Sequence, residues 1–246
     1  MWRMPFSGSE PPRPEVPEGV RIYAVGDIHG RVDLLDRLVL RIDADLVAHP
    51  IGRPVQVFLG DYIDRGPDSA AVLERLIERG RTHETVCLMG NHEAFLLEFL
   101  DDPSLLTAWG QNGGLTTLLS YGVAPVIQAV PAEQAEVSAA LAKAMPKDHK
   151  DFLNALPLSF TCGDFFFVHA GVRPGTSLVR QREQDLLWIR EEFLRHNAAF
   201  EKIVVHGHTP VREPEVRRNR INVDTGAYAT GRLTCVRLER DDISFL

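Results

Sequence analysis

Short apolar runs alternate with amphipathic stretches over the first hundred residues of the chain. The mostly apolar runs lie at 21–25, 55–59 and 85–89. Each run stops directly before a glycine, as buried strands commonly do. Apolar residues at helical spacing follow each run and predict helices over 32–47, 69–79 and 93–100. Strands that alternate with helices predict a βαβαβ unit with a parallel sheet.

The second half of the chain has a different pattern. Residues 101–156 lack clear strands and contain helix-like runs at 132–144 and 148–156, so we expect a helical insertion or cap there. From Leu158 onward strand patterns dominate, interrupted by one predicted helix near 186–196. The predicted strands are 158–160, 164–168, 202–205, 220–223 and 232–238. This order predicts an α/β fold with two packed β-sheets flanked by helices.

Composition and charge narrow the class of protein. The 246 residues are enough for one domain with a large core, and the net charge of −7 gives no basic surface, so we expect no nucleic-acid partner. No apolar run approaches the ~20 residues that cross a bilayer, so no membrane partner is expected. The three cysteines lack paired spacing, which favours a reducing cytoplasm. Residues 1–19 lack the apolar core of a signal peptide, and we expect a flexible Pro-rich leader before a domain at 20–246.

Two strand ends carry the same Gly-Asp pattern. Asp27 and His29 follow the first strand in a glycine-flanked turn, and a carboxylate with an imidazole suits a divalent transition metal. Asp61 follows the second strand, at the end where open α/β sheets bind ligands. Structural roles also fit each feature alone: a hydrogen-bonded turn for Asp27 and His29, a helix cap for Asp61, and a surface charge pair for Asp64 and Arg65. The recurrence of the pattern favours a binding site.

Three further strand ends carry an asparagine or a histidine. Asn91 and His92 follow the third strand, where the Asn carbonyl can bind a cation and the histidine can donate a proton. Taken alone, they fit a helix capped by Asn91 with His92 in solvent better than a site. His169 follows the apolar run FFFV, and His206 and His208 follow IVV. A lone histidine at such a place is usually structural, and one of the two in HGHTP is expected to be.

The five strand ends together make a more specific pattern. Each supplies an Asp, Asn or His beside glycine, which is the set that two metal ions about 3.5–4 Å apart need. In chain order, the motifs are GDIHG, GDYIDRGPDS, GNHE, HAG and GHTP. In this order they resemble the metallophosphoesterase superfamily and, within it, the phosphoprotein phosphatase family of serine/threonine phosphatases, in its compact bacterial and phage branch. The resemblance runs from about Arg21 to Leu238.

The resemblance implies a calcineurin-like metallophosphoesterase sandwich with residues 20–246 as its catalytic domain. It also implies two divalent metal ions, with manganese expected in vitro and iron or zinc as alternatives. Two ligands belong to the first metal, one bridges both metals, and three belong to the second. In that order, the implied ligands are Asp27 and His29, then Asp61, then Asn91, His169 and His208. His206 has no ligand role in the family pattern and is expected to be structural.

The resemblance also implies which residues act on the substrate. His92 is implied as the proton donor to the leaving alkoxide, and Asp64 as the carboxylate that orients it. Arg65 is implied to clamp the phosphate, because a guanidinium can hold two phosphate oxygens at once. Asn91 is expected to contact the phosphate in addition to its metal.

A second phosphate-binding arginine is expected in a loose Trp-x-Arg context. Arg190, in LLWIREEF, fits this context and is preferred over Arg173 and Arg195. Asp224 and Tyr228, in VDTGAY, are expected near the site without a catalytic role.

These assignments predict hydrolysis of a phosphate monoester by a water activated between two metals. The expected substrate is a phosphorylated protein or a small phosphoester, and the oligomeric state is left open. A symmetrical diadenosine tetraphosphate hydrolase shares the scaffold, but its family pattern lacks the aspartate of the DRG motif, which is present here as Asp64. A non-catalytic binding module would be expected to have lost ligands, and every ligand position is filled. Met89 replaces an arginine of eukaryotic members, so their inhibitor contacts are not transferred.

Overall fold

Two five-stranded sheets packed face to face form the centre of the molecule, with helices on their outer sides. The computed structural model describes residues 13–126 and 129–246. The first sheet contains, in spatial order, β10 (Asp242–Phe245), β9 (Cys235–Glu239), β1 (Val20–Val25), β2 (Arg53–Phe58) and β3 (Thr85–Cys87). The second contains β4 (Ser159–Cys162), β5 (Phe165–Val168), β6 (Ile203–His206), β8 (Arg220–Asn222) and β7 (Glu215–Val216). The predicted α/β fold is confirmed.

The first sheet is mixed. β1, β2 and β3 run parallel to one another, which confirms the predicted βαβαβ unit. β9 and β10 extend the sheet on the other side of β1 as antiparallel strands. β10 was not predicted, because its sequence DISF has no apolar run and its residues are exposed or half-buried. β7 was also missed, since it has only two residues.

Every residue of β1 is buried, because both faces of the first sheet are covered. Ile22 and Ala24 belong to the core between the sheets, together with Phe165 of the second sheet. Tyr23 and Val25 belong to the core under the outer helices. A strand covered on both faces has a nearly continuous apolar sequence, and in β1 this is Ile22–Val25 after the buried Arg21.

Helices cover the outer faces of both sheets. The first three helices are α1 (Val32–Ala48), α2 (Ser69–Thr82) and α3 (Asn91–Asp101). The segment 101–156 contributes α4 (Leu106–Trp109), α5 (Leu115–Ser120), α6 (Pro131–Ala144) and α7 (Lys147–Asn154), and its two predicted helical runs correspond to α6 and α7. The second sheet is followed by α8 (Glu183–Trp188), α9 (Glu191–Leu194) and α10 (Ala227–Thr230). None of the helices in the described residues combines the length and hydropathy that crossing a bilayer requires.

Two predicted helices differ from those observed. The single helix predicted near 186–196 is two short helices, α8 and α9, because the backbone leaves helical geometry at Arg190, with φ −131° and ψ −96°. The helix predicted from Glu93 begins two residues earlier, so Asn91 and His92 lie in its first turn and Gly90 is the N-cap. Capping by Asn91 is therefore wrong.

The prediction of a flexible leader over 1–19 is wrong for the part that the structure describes, residues 13–19. Val16 is 1% exposed and joins the core between the sheets. Its amide donates to the carbonyl of Arg240 at 3.0 Å, and the amide of Glu15 donates to the Asp164 carboxylate at 3.0 Å. An apolar side chain with a paired backbone ties this stretch to the domain. Residues 1–12 of the predicted leader lie outside the described residues.

Candidate dinuclear metal centre

The predicted ligands meet where strands of both sheets end. β1, β2 and β3 of the first sheet end shortly before the first three motifs, and β5 and β6 of the second end at the last two. Among the described residues, six that are not glycine have positive φ, and five of them belong to these motifs: His29, Asp61, Asp64, Arg65 and His208, with φ between 47° and 70°. Left-handed backbone costs free energy for such residues, so its concentration here points to a functional site.

Four of the predicted ligands form one tight cluster. Nε2 of His169 lies 2.9 Å from Oδ1 of Asn91, 3.2 Å from Nδ1 of His208 and 3.3 Å from Oδ1 of Asp61. Nδ1 of His208 lies 2.8 Å from Oδ1 of Asn91. Ligands about 2.1 Å from one metal ion lie about 3 Å apart, so this donor set fits a divalent cation such as manganese or zinc.

The other oxygen of Asp61 faces a second group of donors. Oδ2 of Asp61 lies 3.4 Å from Nε2 of His29 and 3.8 Å from Nε2 of His92. One donor atom from each of the three residues lies within 4.8 Å of the others. Because Asp61 faces one cluster with each oxygen, its position suits the bridging role that was predicted for it.

Two histidine rings are held by backbone carbonyls. Nδ1 of His29 donates to the carbonyl of Ile63 and Nδ1 of His169 to that of Leu59, each at 2.8 Å. A carbonyl only accepts, so Nδ1 carries the proton and Nε2 is left as the lone-pair donor toward the site. Burial lowers the pKa of His29 to about 3, which keeps the ring neutral and able to bind a metal.

Asp27 is buried at the same place but is held differently. Both of its oxygens accept from the amide of His208 at 3.1 Å, and it is not among the donor atoms grouped with His29. Burial, Asp224 and Asp61 raise its pKa well above the ordinary value. A Cβ on Gly207 would collide with the carboxylate of Asp27, so this close approach requires glycine. Its role as a ligand stays a prediction.

Asp224 lies near the site, as expected. It is 3% exposed, and its carboxylate accepts from the amide of Gly226 at 2.8 Å. Burial raises its pKa to about 6. Burial also disfavours the charge on Asp61, but His169, His92 and His29 outweigh it and hold the pKa of Asp61 below its ordinary value. Asp61 is therefore the carboxylate that stays ionised.

His92 and Asp64 form a buried pair. Nδ1 of His92 lies 2.7 Å from Oδ2 of Asp64, and the two residues are 2% and 0% exposed. This burial rules out a solvated His92 and a surface charge pair of Asp64 with Arg65. The carboxylates of Asp61 and Asp64 outweigh burial and raise the pKa of His92. Nε2 of His92 faces the cluster, beside Arg65.

Two arginines contact the predicted ligands. Nη1 and Nη2 of Arg65 lie 3.0 Å and 3.1 Å from Nε2 of His29 and Nε2 of His92. The guanidinium of Arg65 stacks on the ring of Tyr228 at 4.9 Å. Nε of Arg190 donates to Nε2 of His208 at 3.0 Å. The site thus places two cationic groups where a phosphate could be held.

The rejected arginines are engaged elsewhere. Arg173 pairs with Asp185 at 2.5 Å and with Glu192 at 2.9 Å, and Arg195 pairs with Glu191 at 2.6 Å. Neither contacts a predicted ligand in these bonds. Their geometry supports the preference for Arg190, whose substrate contact stays a prediction.

His206 points away from the cluster. Its ring is fully buried and packs edge-on against Phe193, with centroids 4.9 Å apart. Nδ1 lies 3.0 Å from the carbonyl of Gly207. These contacts agree with the expectation of a structural residue.

Sequence reasoning missed three residues that support the site. The Glu93 carboxylate accepts from the amides of Asp61, Tyr62, Ile63 and Gly90 at 2.8–3.2 Å, so it holds the turn that carries Asp61. The acidic residue three positions after the glycine cap was the available signal, since it fits a capping box. Trp109 and Thr117, which bond to Asp64, gave no such local signal.

Comparisons with known proteins agree with this geometry. The chain belongs to the calcineurin-like phosphoesterase family, whose model matches residues 20–242. It is 28% identical over 233 residues to the asymmetrical bis(5'-nucleosyl)-tetraphosphatase PrpE of Anoxybacillus flavithermus, covering 87% of this chain and 88% of that protein. It is 30% identical over 225 residues to serine/threonine-protein phosphatase 1 of Salmonella typhimurium, covering 89% and 92%. The resemblance predicted from the motifs is confirmed.

Solved structures share the fold. A crystal structure described provisionally as a diadenosine tetraphosphatase has a TM-score of 0.62 at 23% identity and covers 92% of both chains. A protein serine/threonine phosphatase from Saccharomyces cerevisiae, with similarity to human PP5, has a TM-score of 0.56 at 15% identity and covers 95% of this chain and 84% of its own. At these identities the likeness concerns the fold alone.

Proposed function

We propose that this phosphoesterase hydrolyses phosphate monoesters and that its substrates are proteins phosphorylated on serine or threonine. The observation that carries the proposal is the buried pair of His92 and Asp64, 2.7 Å apart, with Nε2 of His92 facing the cluster, 3.1 Å from Nη2 of Arg65. An alkoxide such as that of serine is a poor leaving group and needs a proton as it departs. An imidazole oriented by a carboxylate suits this task.

The donor chemistry supports two divalent metal ions at this site. Asp61, Asn91, His169 and His208 would hold one, and Asp61 and His29 would hold the other, with Asp27 as a further predicted ligand. When bound, such metals activate water and neutralise the charge of the phosphate. We expect manganese to serve in vitro, with iron or zinc as alternatives.

The two arginines would bind the phosphate. Each guanidinium can donate two parallel bonds to phosphate oxygens. Arg65 lies beside His29, and Arg190 lies beside His208. Asn91 belongs to the cluster of four ligands and directly precedes His92 in the chain, so it is a further candidate for a phosphate contact. No serine or cysteine nucleophile takes part in this proposal.

A second candidate function is hydrolysis of a dinucleoside tetraphosphate. The specific support is the similarity to PrpE, an asymmetrical bis(5'-nucleosyl)-tetraphosphatase that matches 87% of this chain at 28% identity. The symmetrical hydrolase pattern, which lacks the aspartate of DRG, is disfavoured by Asp64. A non-catalytic binding module is disfavoured because the predicted ligand positions are filled.

A substrate panel decides between these functions. The Mn²⁺-loaded protein is assayed with p-nitrophenyl phosphate, with phosphoserine, phosphothreonine and phosphotyrosine peptides, and with diadenosine tetraphosphate. The His92→Asn variant serves as the matched control. We expect the highest kcat/KM on phosphoserine or phosphothreonine peptides. A higher kcat/KM on diadenosine tetraphosphate would replace the first function by the second.

The proposal includes a cytoplasmic location. Its support is that Cys87, Cys162 and Cys235 are all free thiols, two of them buried, as is typical of proteins in a reducing compartment.

A further inference from the structure

Residues 109–117 of the helical insertion, which we call the 109–117 segment, form hydrogen bonds with Asp64 and Arg65. Nε1 of Trp109 donates to Oδ2 of Asp64 at 2.9 Å, and the hydroxyl of Thr117 donates to Oδ1 at 2.6 Å. The sequence analysis left this insertion without a role. Its two donors each reach a different oxygen of the carboxylate that faces His92.

These bonds fix the plane of the carboxylate. Oδ2 of Asp64 accepts from Trp109 and lies 2.7 Å from His92, while Oδ1 accepts from Thr117. Asp64, Trp109 and Thr117 are each 0% exposed, so water does not compete for these bonds. A carboxylate held at both oxygens cannot rotate, and the imidazole bonded to it keeps one orientation.

The two donors are themselves fixed. The Trp109 ring stacks on Phe99 with centroids 4.8 Å apart, and Phe99 lies in α3, the helix that carries His92. The Thr117 hydroxyl lies 2.9 Å from that of Ser69 and accepts from the amide of Asp64 at 3.0 Å. The proton donor, its orienting carboxylate and the insertion therefore share one rigid packing arrangement.

The same segment supports the backbone of Arg65. The amide of Arg65 donates to the carbonyl of Gly113 at 3.2 Å. Gly113 has φ 110°, and a Cβ there would lie 2.7 Å from Cγ and 2.8 Å from the amide nitrogen of Arg65. Asp64 and Arg65 both have left-handed backbone, with φ of 70° and 67°. Such strain persists only where the surroundings enforce it, and the 109–117 segment supplies that support.

We propose that Trp109 and Thr117 are positioning residues, which act on the reaction by orienting Asp64 and, through it, His92. The proposal rests on the proposed function, because it assigns the insertion to the protonation of the leaving group. The insertion thus contributes to the site by holding Asp64, and neither residue is a predicted metal ligand or phosphate-binding residue.

Conservative variants test the proposal. Trp109→Phe keeps the stacking on Phe99 and removes the N–H, and Thr117→Val keeps the shape and removes the hydroxyl. We expect each to lower kcat on a phosphoserine peptide roughly 10-fold, the effect of losing one bond to a charged group, with KM unchanged. The loss on p-nitrophenyl phosphate should be several-fold smaller, because its phenolate leaves without a proton. In the background of Asp64→Asn, neither variant should add a further loss.

Ser120→Ala is the matched control. Its hydroxyl accepts from the amide of Ala70 and donates to the carbonyl of Thr117, so it also ties α5 to α2 but does not contact Asp64. We expect wild-type kinetics from this variant on both substrates. Thermal unfolding of all variants separates loss of fold from loss of orientation.

A second measurement does not depend on turnover. The indole N–H proton resonance of Trp109, assigned by its loss in Trp109→Phe, should move upfield in Asp64→Asn. The ring N–H proton of His92, assigned by its loss in His92→Asn, should lie at low field and shift in Trp109→Phe. Ser120→Ala should leave both resonances in place.

The outcomes separate the two proposals. Wild-type protein that hydrolyses neither substrate would contradict the proposed function. The N–H resonances of Trp109 and His92 would still show whether Trp109 orients Asp64 and His92. Active wild-type protein with equal losses on both leaving groups, additive losses with Asp64→Asn, or unmoved resonances would overturn the positioning role alone.

Discussion

Oδ1 of Asp61 lies 3.3 Å from Nε2 of His169, although Asp61 follows a strand of the first sheet and His169 a strand of the second. The contact joins the ends of the two sheets at one buried point. A cation held by both residues would link the sheets directly. Metal binding should therefore affect stability as well as activity.

Metal removal is the most direct test of this arrangement. We expect chelator-treated protein to be inactive on p-nitrophenyl phosphate, to recover with Mn²⁺, and to bind two metal ions per chain. The bound form should unfold at higher temperature, because a ligand at 100 times its Kd stabilises the fold by about 2.7 kcal/mol. Elemental analysis and thermal unfolding measure both effects. Full activity in metal-free protein would contradict the assignment.

The two histidines of HGHTP should behave differently. His208→Ala removes a donor that lies 2.8 Å from Oδ1 of Asn91, so it should reduce metal stoichiometry and lower kcat by at least ~10²-fold. His206→Ala removes a buried ring that packs on Phe193 and leaves a cavity. It should lower the unfolding free energy by about 2–4 kcal/mol and leave the metal content unchanged. Metal content and urea unfolding of the two variants check this. Exchanged phenotypes would show that the ligand is His206.

The leaving group should reveal the role of His92. His92→Asn should keep both metals and lower kcat on an alkyl phosphate by roughly 10²–10⁴-fold, the usual effect of losing a positioned acid. The loss should be much smaller on p-nitrophenyl phosphate. Asp64→Asn should show the same pattern more mildly, because it only orients the imidazole. Equal losses on both substrates, or a raised KM in Asp64→Asn, would favour a structural role.

Arg190 and Arg173 allow a matched comparison. Arg190→Met removes a guanidinium bonded to His208 and should lower kcat/KM roughly 10–100-fold, the effect of losing a bond between charged groups. Arg173→Met breaks only the pairs with the buried Asp185 and the exposed Glu192, which contact no predicted ligand. Because these pairs are independent of the site, kcat/KM should stay within about twofold of the wild-type value. The inhibition constant of inorganic phosphate measures phosphate binding separately from the rate of hydrolysis. A larger loss in Arg173→Met would move the second clamp to that residue.

The metal-free protein should lose stability in acid. Burial lowers the pKa of His206 to about 3, whereas the pKa of a histidine in the unfolded chain is about 6.5. Between these values the unfolded chain binds a proton that the fold does not, so the unfolding free energy falls as the pH drops through about 6.5. The contribution is up to about 1.4 kcal/mol per pH unit. In urea titrations between about pH 6 and about pH 5, His206→Asn should show a shallower dependence; an unchanged slope would count against a buried neutral ring.

The part of the site that could be predicted lies directly after buried strands. Asp61 follows the mostly apolar run VQVFL and His169 the continuous apolar run FFFV, because strands covered on both faces leave such runs in the sequence. A polar residue directly after such a strand lies at the end of the sheet, and this placement does not depend on distant contacts. The apolar runs and the motifs that follow them are therefore enough to predict which residues form the cluster.

The parts that could not be predicted depend on contacts between distant segments. Trp109 and Thr117 lie 45 and 53 positions from Asp64, in a segment without strand pattern. The break at Arg190 has no proline or glycine beside it and coincides with the bond from Arg190 to His208. Local propensity cannot anticipate a backbone conformation that a tertiary contact imposes.

Asp61 and His208 have left-handed backbone, which lowers the stability of the fold, but both are predicted metal ligands. Selection for stability and selection for activity therefore favour different residues at these positions. Glycine adopts this conformation without steric cost, so Asp61→Gly would relieve backbone strain of the order of 1 kcal/mol. A screen that rewards only heat resistance in metal-free protein would thus enrich such inactive variants. Engineering of this enzyme for stability has to keep turnover among its selection criteria, because the residues easiest to improve are the ones that the chemistry needs.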